Sequence, residues 1–496
     1  MLLRHCGQTG LSDRTRALRH ERGEHVTFAL LVDFGSTYTK VRAVSLDDAR
    51  VIATAQGPST VGSDVTVGLQ AALDRLHAQL GEMPRYRWRL GASSAAGGLR
   101  MVTVGLVREL TAEAARQAAL GAGARLVGSY AGRLTRADVR AIVELGPDVL
   151  LLCGGTDGGN RDTIVHNARV LAAAPLACPF VVAGNREAAD DVMDALQAMP
   201  GSAVRADNVM PEFNVLSIEP ARAAIRELFM RRIVHAKGID RAGALLDDVL
   251  MPTPAAVLDG AQLLSRGPHG NDGLGPLLVI DPGGATTDVH SIGEGEPRGG
   301  AVRLGLPEPH AKRSVEGDLG MRHNAHSIVE AVGEAAFCNE SGLGVAQVRA
   351  LLASVAADVE RLPQTPAEHA FDQVLGRSAI RLAMRRHAGT IETVYTAHGP
   401  VQVQRGKDLG GFATVIGTGG VLVAAERPGE LLSAALADPA RPHELCPSAP
   451  RFFVDRDYVL YGSGLLAGVE PRAAYALACA SLHEVVLHEA ARHAHG

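Results

Sequence analysis

LLVDFGSTYTKVRAV, residues 30–44, is the stretch from which the rest of the chain can be read. An apolar run, Ala29–Val32, ends in Asp33; an aromatic, a glycine and a cluster of hydroxyls follow, and apolar residues then resume. The pattern predicts a hairpin with a buried stem and a tip carrying an acid and hydroxyls. A second stretch repeats it. Asp281-Pro-Gly-Gly-Ala-Thr-Thr-Asp-Val289 aligns with Asp33-Phe-Gly-Ser-Thr-Tyr-Thr-Lys-Val41 at a separation of 248 residues. Asp33 matches Asp281, Gly35 matches Gly283, Thr39 matches Thr287 and Val41 matches Val289. Each copy follows an apolar strand and leads into another.

Phosphate chemistry accounts for this composition. Glycines admit a phosphate close to the backbone, and consecutive N–H groups form an anion-binding nest. Hydroxyls add donors. A carboxylate repels phosphate unless a divalent cation stands between, and Mg²⁺ keeps several waters beside few protein ligands. Two such hairpins, facing each other, would hold a nucleotide tail between two domains. Taken singly, each copy also reads as a Gly-containing turn with a capping Asp.

Composition sets the outer limits. A chain of 496 residues, 46% hydrophobic and 21% charged, is too long for one core. A formal net charge of −5 with no basic run and interleaved aromatics gives no nucleic-acid partner. The longest apolar runs, such as Val149–Cys153, fall far short of a membrane span. Six scattered cysteines without a C-x-x-C pair fit a reducing cytoplasm. His483, His488 and His493 recur every five residues and share no helix face, so histidine-bound metal is not expected.

Along the chain, residues 1–25 read as a disordered, arginine-rich extension without a secretory apolar core. Residues 26–110 read as a strand-rich domain carrying the first phosphate motif, and 111–215 as alternating apolar strands and helices, an α/β insert with a parallel sheet. A connecting segment, mostly helical, occupies 216–276 and includes the Gly/Pro-rich RGPHGNDGLGP at 266–276. A second domain, 277–457, carries the second motif, and 458–496 forms a further connector and a C-terminal helix.

At this point the residues resemble the superfamily of sugar kinases, actin and heat-shock chaperone ATPases. Asp33-Phe-Gly-Ser-Thr-Tyr is similar to its first phosphate motif and Asp281-Pro-Gly-Gly-Ala-Thr-Thr-Asp-Val to its second, with Asp288 on a matching position. Val415-Ile-Gly-Thr-Gly-Gly-Val-Leu422 is similar to its adenosine motif, Met251–Gly260 and Tyr461–Gly468 to its connecting helices, and Glu316–Gly320 to the loop after the second phosphate motif. More closely, the chain from about residue 28 resembles the glutamate mutase-associated MutL (GlmL) family, on DFGSTYTK, GPDVLLLCGGTDGGN, DPGGATTDVHS, VEGDLGMR and VIGTGGVL. The resemblance implies two ribonuclease-H-like domains with an ATP cleft between them, plus the α/β insert. It implies ATP and Mg²⁺ as cofactors, subunits of a cobalamin-dependent mutase as partners, and a reactivating or chaperone role in the cytoplasm. Carried onto this chain, Asp33 and Asp281 hold Mg²⁺ through water, and Asp281 is the catalytic candidate that orients the attacking water. Gly35, Ser36, Thr37, Tyr38, Thr39, Lys40, Gly283, Gly284, Thr286 and Thr287 form the phosphate site. Gly417, Thr418, Gly419 and Gly420 line the adenosine. One position departs from the pattern: Met251 stands where the chaperone branch has a glutamate in its magnesium and water network. Nucleotide binding is therefore better supported than fast hydrolysis. A small-molecule kinase and a non-hydrolysing nucleotide sensor are the alternatives.

Two other features have competing readings. The loop Gly154-Gly-Thr-Asp-Gly-Gly-Asn160 lies between an apolar strand and a helix, either as a tight turn capped by Asp157 or Asn160 or as an anion site. Arg385-Arg386-His387 reads as charge complementing a helix C-terminus, with a phosphate contact as the alternative.

Overall fold

In the computed structural model, residues 27–35, 38–60, 64–81, 84–94, 99–197, 199, 203–236, 246–247, 250–270 and 272–487 are described. The expected N-terminal extension, Ser36 and Thr37 lie outside them. The opening stretch forms β1 (Phe28–Phe34) and β2 (Tyr38–Ser45), antiparallel, with Asp33 opposite Lys40 and Phe34 opposite Thr39. β3 (Arg50–Pro58) continues antiparallel beside β2, β4 (Tyr86–Ser93) runs parallel to β1, and β10 (Leu250–Pro252) runs parallel to β4. The order is β3-β2-β1-β4-β10. Period-2 alternation sends Leu30, Val32, Phe34, Val41 and Ala43 to one face, where Val65, Leu69, Ala72 and Leu76 of the helix Val65–Leu80 cover them.

A second sheet is wholly parallel: β5 (Arg100–Gly105), β6 (Arg125–Ala131), β7 (Val149–Leu152), β8 (Phe180–Val182) and β9 (Ala203–Arg205), ordered β6-β5-β7-β8-β9. Helices Glu113–Gly121 and Glu219–Ala236 cover the face of Met101, Val149, Leu151 and Val181; three others cover Val102, Val104, Leu150 and Leu152. This doubly wound insert differs from its sequence-based limits at both ends. Arg100–Gly105, expected in the first domain, sits inside the insert's sheet, and the 219–236 helix, expected as a connector, packs on it. A short apolar strand pairs with whichever neighbour the topology supplies, and nothing local distinguishes the two sheets. Likewise β10 is a strand inside the segment expected to connect.

The chain divides into two compact units: one runs through Gly260 and takes in Gly305–Pro309 and Tyr461–Leu477, the other holds Ala261–Leu304, His310–Leu460 and the residues from Ala478. In the second unit β11 (Leu277–Pro282) and β12 (Thr287–Ile292) form the repeated hairpin. β13 (Val302–Arg303), β15 (Thr390–Thr396) and β16 (Gly399–Arg405) make a separate three-stranded sheet. β14 (Ala311–Glu316), β17 (Thr414–Gly417), β18 (Arg451–Asp455) and β19 (Leu482–Val485) complete the main one, ordered β14-β12-β11-β17-β18-β19. Both hairpin-centred sheets share one plan: hairpin, antiparallel third strand, then two parallel strands on the other side. Both are ribonuclease-H-like, as the resemblance implies. Over the second, four helices between Ala325 and His387 bury Leu278, Ile280, Val289 and Val415. The longest, Pro366–His387, starts at a capping box of Thr365 and Glu368, with Pro at its first turn. No helix among the described residues is long and apolar enough to cross a membrane.

Candidate functional site

The repeat persists in backbone detail. In the first hairpin Gly35 N–H donates to Tyr38 O at 3.0 Å; in the second Gly283 N–H donates to Thr286 O at 2.8 Å, at equivalent positions. A Cβ on Gly35 would lie 2.6 Å from Tyr38 O, and one on Gly283 3.0 Å from Thr286 O, so each turn closes too tightly for a side chain. Carbonyls of the first turn are occupied: Phe34 O by Ser94 N–H (3.0 Å) and Gly35 O by Ser59 Oγ (2.7 Å).

The second turn is buttressed by the loop after β14. Met321 N–H donates to Gly283 O, Arg322 and His323 N–H both donate to Gly284 O, and Asn324 Nδ2 reaches Ala285 O (3.3 Å) and Gly317 O (2.8 Å). Arg322 is fixed in turn by a two-armed ion pair with Asp372. With its carbonyls committed, the turn keeps the N–H groups of Gly284, Ala285 and Thr286 without a hydrogen bond to any described residue. Gly284 and Ala285 are exposed. Three successive amides with no partner among the described residues, beside a Gly-Gly turn, have the arrangement that suits an anion.

Asp281 and Asp288 stand directly opposite each other across this hairpin, an arrangement that repels unless a cation offsets it. Asp288 Oδ2 pairs with buried Arg313 at 2.9 Å, while Oδ1 is buried with no hydrogen-bond partner among the described residues. That orphaned oxygen and the half-buried Asp281 fit a hydrated Mg²⁺. Among the described residues no group of three or more His, Cys, Asp or Glu gathers to hold a metal, so water and phosphate would supply most of such a shell. In the first hairpin the equivalent position is Lys40, opposite Asp33. Next to Arg313, His290 is fully buried; burial first, then the guanidinium, hold its pKa well below the ordinary value, so the ring is neutral.

Several expected roles change. Asp33 is only 2% exposed and accepts Thr253 Oγ1 at 2.8 Å. Thr287, expected to grip phosphate, is fully buried and donates to Leu319 O at 2.7 Å. Thr39, at the matching position, is buried too, because both lie on the core side of their hairpins. Tyr38 is exposed and Lys40 half-buried. Met251 lies on β10 in register with Ala92 of β4, itself beside Asp33. Sequence reading missed Thr253, two positions beyond Met251 in the motif. It also left Asp288 out of the site, although its spacing from Lys40 marks it.

The glycine loop after β17 meets Asp281 directly. Gly419 has φ +89°, and a Cβ there would fall 2.1 Å from Asp281 Oδ1, so only glycine permits the contact. Thr418 N–H donates to Ile280 O, and its buried hydroxyl donates to Asp455 Oδ2 at 2.9 Å rather than facing a ligand. Gly417 lies on the strand and Gly420 is exposed at the start of the helix Gly420–Ala424.

In the insert, the 154–160 loop is knitted by its own side chains. Asp157 Oδ1 accepts Arg186 N–H and Asn208 Nδ2 (both 2.9 Å), Asn185 bridges Gly158 and Gly159, and Asn160 caps the next helix through Thr163 N–H. Arg385 pairs with Asp438 and Glu444, and Arg386 with Glu316 and Asp318. His387 lies buried between Ser291 and Ser314 hydroxyls. The trio thus serves the fold of the second unit.

The family described as MutL protein matches residues 29–482. The chain is 46% identical over 440 residues to Protein MutL of Clostridium tetanomorphum, covering 88% of this chain and 95% of that protein. Among solved structures it is similar to nucleotide-free acetone carboxylase (TM-score 0.37, 15% identity, covering 89% of this chain and 70% of that one). Xylulose kinase from Lactobacillus acidophilus gives 0.35 at 10% identity, covering 95% and 96%, and a glycerol dehydratase reactivase gives 0.32 at 11%, covering 89% and 99%.

Proposed function

The chain belongs to the MutL protein family, and from that premise we propose that it is an ATP-binding, slowly hydrolysing accessory protein that reactivates an adenosylcobalamin-dependent mutase of the glutamate mutase or aminomutase type. The nucleotide half of this reading is carried by the repeated hairpin, whose second copy presents three amides without a partner among the described residues, beside an opposed pair of carboxylates. The mutase half is supported by the motif resemblance given above.

In this reading Gly284, Ala285 and Thr286 N–H groups bind phosphate oxygens, and the bare backbone of Gly417–Gly420 receives the adenosine. Asp281 and Asp288 would hold Mg²⁺ through water; bound there, the ion neutralises phosphate charge. Asp281, held against Gly419, orients the attacking water. Loop 317–324 keeps the turn rigid, so catalysis consists of positioning and charge neutralisation. The thioether of Met251 neither takes a proton nor orders water, which accounts for slow turnover and also favours the second reading, a nucleotide sensor that does not hydrolyse.

ATP turnover, measured with and without a purified adenosylcobalamin-dependent mutase, tests the proposal. Stimulation by inactivated mutase, with recovery of mutase activity, is the expected result. Stimulation by a small metabolite alone would overturn it in favour of a kinase. Tight ATP binding with no turnover under any condition would leave the sensor.

A further inference from the structure

We propose that Asp455 is a positioning residue for the adenosine loop, tying it to the start of the helix Leu460–Ala467, so that loop and helix respond together to bound nucleotide. The inference rests on the nucleotide reading above. β18 runs parallel to β17 with Val454 beside Gly417, which brings Asp455 next to Thr418. Its side chain is 1% exposed and its two oxygens take four donors. Oδ2 accepts Thr418 Oγ1 at 2.9 Å and Leu460 N–H at 3.0 Å; Oδ1 accepts Val459 N–H at 3.0 Å and Ser481 Oγ at 2.6 Å. A buried carboxylate persists only when its oxygens are satisfied in this way.

Two of those donors are amides at the helix start, groups that no intrahelical carbonyl can serve. Asp455 caps them, and the chain between makes the turn at Tyr458, with φ +52° and its N–H on Asp455 O at 3.1 Å. A cap has no need of Thr418. That bond reaches instead into the loop where Thr418 N–H holds Ile280 O and Gly419 lies against Asp281. A continuous path therefore runs from the catalytic candidate, through two loop residues and one carboxylate, to the amides of Val459 and Leu460. Glu368 provides the contrast: it too accepts several donors, from Arg361, Gln364 and Thr365, but all come from the helix cap and the few residues just before it.

Two variants separate positioning from simple support. Thr418→Val removes the loop's hydroxyl and leaves the cap; Ser481→Ala removes a hydroxyl on the far side, which also accepts Asp457 N–H. Ser481→Ala is expected to lower the thermal midpoint at least as much as Thr418→Val, yet to leave ATP affinity unchanged. Thr418→Val is expected to weaken ATP binding about three- to tenfold, the worth of one hydrogen bond. It should also erase the ATP-dependent difference in amide hydrogen exchange over residues 456–468, and Thr418→Ser should restore both. Wild-type affinity and exchange in Thr418→Val, or an equal loss in Ser481→Ala, would overturn the inference while leaving the nucleotide reading intact. A wild-type chain that binds no ATP would overturn both.

Discussion

Gly419 and Gly420 are adjacent glycines under different constraints. At Gly419 the backbone is left-handed and a Cβ would collide with Asp281, whereas at Gly420 nothing lies within 4 Å. Gly419→Ala should displace Asp281 and weaken ATP binding at least about tenfold, measured by calorimetry, at a stability cost on the order of 1–3 kcal/mol. Gly420→Ala should leave the thermal midpoint unchanged, so any loss of ATP affinity reports how near the nucleotide comes. The opposed carboxylates should also separate. Asp281→Ala should abolish Mg²⁺-dependent turnover, and Asp288→Asn should raise the Mg²⁺ concentration required by about 10-fold or more, in a Mg²⁺ titration of the rate. Turnover surviving in Asp281→Ala would remove that residue from the catalytic role.

Among the elements, the loop Gly317–Asn324 bears most on the site without entering the proposed ligand contacts. Its backbone and Asn324 hold the carbonyls of the second turn, and Gly320 packs so closely that a Cβ would lie 2.3 Å from the Ala285 backbone. Gly320→Ala should therefore push on the turn and loosen the nest. The expected outcome is a drop in unfolding free energy on the order of 1–3 kcal/mol, seen in urea titration, together with weaker ATP binding. A stability loss with unchanged affinity would show that the turn holds its amides in place without the loop. The two hairpins also illustrate how a motif divides its residues by face. Thr39 and Thr287 alternate onto the buried side, so a hydroxyl written into a phosphate motif can serve the core.

For the molecule as a whole, protonation sets two acid-sensitive windows. The folded pKa of His290 is depressed below its ordinary 6.5, so the unfolded chain binds the extra proton more readily. This stability is full above pH 6.5 and declines as pH falls below it. Glu368, held down to about 2 by backbone N–H groups of Gln364 and Thr365 and by Arg361, adds stability that is lost between pH 4.5 and about 2. Thermal midpoints across this range should fall in both windows. His290→Asn should flatten the upper one and Glu368→Gln should reduce the lower. Much of the architecture was legible before any coordinates: the repeated hairpin, its 248-residue spacing and the apolar strands before it are local patterns whose period and glycines dictate turns and buried faces. The sequence by itself thereby determined the fold class and the location of the phosphate turns. Only tertiary structure decided that Arg100–Gly105 joins the insert's sheet, that Thr253 engages Asp33, that Asp288 keeps an orphaned oxygen, and that Asp455 links a loop to a helix. Those outcomes depend on strand neighbours and on which buried polar group finds a partner, and both arise from contacts between residues far apart in the chain.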